Sequence, residues 1–82
     1  MWHGLGVLNL RQKEVAAFVA KGQSNKEIGD HLHITEKTVK FHLTTIYKKT
    51  GVSSRAQLIV AMLKDYPTST EIDQLLYTLG YS

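Results

Sequence analysis

Apolar residues recur every three to four positions along most of this chain, and in no segment do they alternate as they would along a half-buried strand. The clearest case is Thr35 to Gly51, "TEKTVKFHLTTIYKKTG". At 100° per residue, Val39, Leu43, Ile46 and Thr50 share one face, with His42 on its margin. The opposite face carries Lys37, Lys40, Phe41, Thr44 and Lys48. Thr35 is the N-cap, Glu36 suits the positive first turn, and "KKTG" closes the element. Phe41 is out of place in this pattern, a large aromatic on a face that otherwise suits water or a polyanion.

The same reading predicts three helices around this one and a fourth after them. Asn9 caps a helix and Gln12, three residues on, completes a capping box. That helix buries Val15, Phe18 and Val19, with Leu8 as a staple, and stops at Lys21 and Gly22. "SNKE" is a second capping box, Ser24 to Glu27, opening a short helix with Ile28 and Leu32 on its apolar stripe. Gly29 inside it costs about 1 kcal/mol relative to alanine. Only His33 and Ile34 separate Leu32 from the next cap, Thr35, which is the spacing of a helix–turn–helix.

Ser54, with Gln57 three along, starts "RAQLIVAMLKDY", which is apolar around much of its circumference. Pro67 ends it. "TSTE" then starts a last helix whose Ile72, Leu75, Leu76 and Leu79 keep i, i+3, i+4, i+7 spacing up to Gly80. The expected fold is all-α: a leader or linker at 1–7, a four-helix helix–turn–helix domain at 8–65, and an amphipathic helical extension at 66–82. The leader "MWHGLGVL" has no helical period and is assigned no role.

Composition narrows the chemistry. Eighty-two residues suit one small domain and leave little room for a deep cleft. There is no cysteine, hence no disulfide and no thiolate metal site. No apolar run approaches the ~20 residues of a membrane span, and there is no secretory leader pattern, so the expected location is cytoplasmic. Net charge is +3. Its distribution is more telling: residues 1–65 hold all ten Lys and Arg against five acids, whereas 66–82 hold only Glu71 and Asp73.

From Lys37 to Lys49 there are four lysines and no acid. A solvated helix face normally mixes signs to gain i,i+4 pairs, whereas binding DNA phosphates requires one sign. Arg55 follows close behind. Phe41 then reads as a base contact, because an apolar side chain can pack on the thymine methyl while lysine reaches guanine acceptors. The alternative is that it covers a neighbouring loop or a partner subunit. His31 and His33 diverge on a helix and cannot share a metal; His42 is a core-edge residue; His3 lies in the leader. With no clustered carboxylates and no glycine-rich phosphate loop, no catalytic constellation, cofactor site or metal site is expected, and the chain is not read as an enzyme.

The stretch "GQSNKEIGDHLHITEKTVKFH", followed by "KKTGVSSR", resembles the DNA-binding domain of the LuxR-type regulators, bacterial transcription factors that include quorum-sensing and many two-component regulators. The resemblance runs from about Leu8 to Lys64. It implies a four-helix fold whose third helix enters the major groove, and dimerisation largely through the fourth helix, for which Leu58, Ile59, Met62 and Leu63 are the available apolar positions. It places base reading on Lys40, Phe41 and Thr44. It places backbone contacts around Ser24, Asn25, Lys26, Thr35, Thr38, Lys48 and Arg55, to which the charge pattern adds Lys37 and Lys49. Thr50 stands where leucine is usual, Gly29 where alanine is, and Gln12 where glutamate is.

Sequence and resemblance together lead to a sequence-specific binder of double-stranded DNA, a homodimer on its site, with any regulatory domain or contact to the transcription machinery lying outside these residues. The rival is a protein-interaction module working through the fourth and fifth helices, with only non-specific affinity for DNA. The tail's apolar stripe is expected to fold back on Leu58, Ile59, Met62 and Leu63 of the fourth helix.

Overall fold

The computed structural model describes residues 2–81. A short 3-10 turn at Leu5–Val7 precedes five α-helices: α1 Leu10–Ala20, α2 Asn25–Leu32, α3 Glu36–Thr50, α4 Arg55–Asp65 and α5 Ser69–Thr78. No strand occurs among the described residues. Each helix begins where a side chain can accept from its third amide. The Asn9 and Ser24 capping boxes are both closed, and Thr35, Ser54 and Thr68 cap α3, α4 and α5.

Helix α1 is the hub. It packs against α4, α3, α5 and α2, so five successive residues, Val15 to Val19, are all buried, not only one stripe. Ile28 and Leu32 of α2, Val39, Leu43 and Ile46 of α3, and Leu58 and Met62 of α4 complete the core around it. Each such aliphatic, fully buried, contributes about 1.5–3 kcal/mol before ordering costs. Thr50 is also fully buried, and its hydroxyl donates to the Ile46 carbonyl at 2.7 Å, so the polar atom there is satisfied.

Two expectations are corrected. Leu58 and Met62 are not available to a second subunit: α4 turns them onto α1, and each has 0% exposure. What α4 leaves outside is Val60 and Leu63, with Ile59 half-buried. The tail does fold back, but chiefly onto α1 and not onto α4. Ile72 and Leu76 are buried, and Tyr81 stands edge-on to Phe18 at 4.9 Å between ring centroids while its hydroxyl meets His31 Nδ1 at 3.1 Å. Lys21 pairs with Asp73 across the same α1–α5 contact.

The opening residues, which showed no helical period, are docked as well. Trp2 is half-buried, and its indole N–H donates to Asp65 at 3.0 Å; the amide of His3 donates to the Thr50 carbonyl at 2.8 Å. Both contacts join residues far apart in the chain.

Candidate nucleic-acid interface

The position of α3 depends on how closely the chain turns between α2 and α3. His33 takes the left-handed conformation at φ 57°, and the amide of Ile34 donates back to the Gly29 carbonyl at 3.0 Å. A Cβ on Gly29 would lie 2.6 Å from the Ile34 carbonyl oxygen. Glycine therefore lets the turn lie directly on α2, which offsets its cost to the helix.

With the core side of α3 so fixed, its outer face is presented whole. Lys37, Lys40, Phe41, Thr44 and Lys48 are all exposed; Phe41 reaches 69% exposure, with the tilted ring of His42 6.1 Å away. The ion pairs among the described residues are Arg11–Glu14, Lys21–Asp73 and Lys26–Asp30, so Lys37, Lys40 and Lys48 carry no acidic partner. The Thr44 hydroxyl donates to the Lys40 carbonyl at 3.1 Å, and that of Thr45 to the Phe41 carbonyl at 3.2 Å. Burial, and then the positive charge of Arg11, lower the pKa of His42 below the usual histidine value, which favours its neutral form.

The residues expected to meet the DNA backbone divide into two groups. Thr35, Lys37 and Lys48 are exposed on α3 or at its cap, and Thr38 is half-buried with its hydroxyl 2.9 Å from that of Thr35. The others are engaged internally. Arg55 donates to Asn25 Oδ1 at 2.6 Å and to the Gln23 carbonyl, tying the start of α4 to the start of α2. Lys49 donates to Gln12 Oε1 at 3.2 Å, and Lys26 pairs with Asp30 in solvent. At the start of α2, the Glu27 carboxylate already accepts from the Ser24 amide at 2.9 Å, which holds its pKa below the usual carboxylate value and puts an anion beside the helix end.

Two residues were missed in the sequence. Gln23 supplies the carbonyl that anchors Arg55, and Arg11 brings a cation close to His42 at the margin of α3. Neither gives a periodic signal, because both act across helix contacts. Among the described residues no group of His, Asp and Glu is arranged to hold a metal ion, and no helix is long and apolar enough to cross a membrane.

A helix–turn–helix that presents an exposed basic face on its second member is the architecture of a DNA-binding domain. The sequence profile described as bacterial regulatory proteins, luxR family, matches residues 6–62, and the chain belongs to that family of DNA-binding transcription regulators. The transcriptional regulatory protein LiaR of Bacillus subtilis (strain 168) is 49% identical over 53 residues, covering 65% of this chain and 25% of that protein. The transcriptional regulatory protein DegU of Brevibacillus brevis is 41% identical over 61 residues, 74% of this chain and 26% of its own length. The oxygen regulatory protein NreC of Staphylococcus aureus (strain JH9) is 40% identical over 58 residues, 71% and 27% respectively. The chain thus spans about a quarter of the length of these curated relatives. No solved structure matches it.

Proposed function

We propose that this domain binds double-stranded DNA sequence-specifically, as a dimer, with α3 in the major groove, and so regulates transcription in a bacterial cytoplasm. The observation that carries the reading is the outer face of α3: three lysines with no acidic partner among the described residues, beside an exposed phenylalanine. Lysines of this kind release condensed counterions from the duplex, and the side chains between them meet base edges. Lys40, Phe41 and Thr44 read bases. Thr35, Lys37, Thr38 and Lys48 hold phosphates, while Arg55 serves first to brace α2 under α3. The dimer forms on the part of α4 that stays exposed, around Val60 and Leu63. Any regulatory domain that controls it lies outside these residues.

The exposed Val60 and Leu63 also favour the second reading, a protein-interaction module whose affinity for DNA is non-specific. An ionic-strength titration separates the two. A specific regulator keeps a large affinity ratio between its selected duplex and random DNA at physiological salt; the interaction module shows none.

Two substitutions test the division of labour. Lys40→Ala is expected to weaken binding at the specific site by about 1–3 kcal/mol and to relax preference at one base position. Equal losses on every sequence would make Lys40 a phosphate contact. Lys48→Ala is expected to weaken all duplexes alike and to reduce the slope of log K against log salt by roughly one unit. A changed base preference in a binding-site selection would refute that role.

A further inference from the structure

The middle of the outer α3 face is short of hydrogen-bond donors. Phe41 projects there, with Thr44 and Thr45 one turn further on, and both hydroxyls donate their hydrogens back to main-chain carbonyls of Lys40 and Phe41. Lys40 flanks this patch, and Lys37 and Lys48 lie towards its two ends. The helix contains no Asn, Gln, Asp or Arg, and its one acid, Glu36, is its first residue. It therefore lacks the amide that pairs with adenine and, on its groove-facing turns, the carboxylate that accepts from cytosine.

What the patch does offer is an apolar surface. On the floor of the major groove the matching feature is a methyl group on pyrimidine C5, which thymine carries and cytosine lacks. Resting on the reading of α3 as the base-reading helix, we propose that the central contact of this domain, made by Phe41 beside Thr44 and Thr45, recognises a pyrimidine C5-methyl group. Methylated cytosine presents the same group at the same place, so at this one position cytosine methylation strengthens binding. The surrounding lysines supply attraction and guanine contacts; the methyl sets the register between them.

The test uses the full chain and a site selected from a random duplex pool. Each thymine of that site is replaced in turn by deoxyuridine, which removes only the C5-methyl. At one thymine per half-site the wild-type protein is expected to bind roughly fourfold more weakly, the factor that loss of one buried methyl-sized group gives. Phe41→Ala is expected to bind the thymine and deoxyuridine duplexes equally at that position. Replacing that T·A pair by C·G should weaken binding, and 5-methylcytosine should recover part of the loss. Because Phe41 lies outside the core, the variant keeps the parent's melting curve, which shows that the lost discrimination is not unfolding. Specific binding with no deoxyuridine effect at any thymine would overturn the inference and leave the DNA-binding reading intact. So would a deoxyuridine effect that persists in Phe41→Ala. Failure to select any site would overturn both.

Discussion

A chain ending at Tyr66 is expected to melt at least about 10 °C below the full chain, since about 1 kcal/mol moves the midpoint of a domain this size by 4–8 °C. The truncation removes Ile72 and Leu76, exposed to only 1% and 5%. Burial of such side chains contributes roughly 1.5–3 kcal/mol each before the cost of ordering the helix. It also uncovers Phe18, which stacks on His31 and is sealed by Tyr81 in the intact fold. The Lys21–Asp73 pair adds little, because an ion pair with solvent around it is worth about 0–1 kcal/mol. Thermal unfolding followed by circular dichroism measures the shift, and sedimentation detects association through the bared face of α1. Below its melting range the shortened chain should still bind DNA, since α2 and α3 are intact. An unchanged melting temperature would show that α5 does not hold α1.

Gly29→Val is expected to destabilise the domain by about 2–3 kcal/mol, the cost of overpacking a closed contact. A Cβ at this position meets a main-chain oxygen, that of Ile34, at 2.6 Å, and main chain cannot rotate away as a flexible side-chain tip can. Alanine would recover about 1 kcal/mol of helix propensity against the same contact; the branched valine brings more bulk and a stiff χ1 instead. The turn between α2 and α3 must then open, which shifts α3 against α2 and lowers affinity for the specific site more than for random DNA. Urea unfolding and binding isotherms on both duplexes report the two effects. A valine variant as stable as the parent would show that the turn relaxes freely.

Much of the fold could be read along the chain because its signals are local. A cap accepts from an amide three residues away, so Asn9, Ser24, Thr35, Ser54 and Thr68 each mark a helix start whatever surrounds them. The outer face of α3 was legible for the same reason. Val39, Leu43, Ile46 and Thr50 lie on one side by helical geometry alone, which leaves Phe41 on the other.

What was not legible depends on which helix packs against which. The order of apolar residues in α4 does not say that Leu58 and Met62 face α1 while Val60 and Leu63 face water. The stripe on α5 fits any apolar neighbour of matching length, and only the packed fold sets it chiefly against α1. Cations in sequence also look equivalent until partners are placed. Arg55 meets Asn25 and Lys49 meets Gln12, 30 and 37 residues away, whereas Lys37, Lys40 and Lys48 meet no acid among the described residues. The local alphabet of caps and periods thus specified the helices and the face of α3, because those interactions span a single turn. The choice of neighbours, and with it the division between structural and free cations, was made only when burial brought distant residues together.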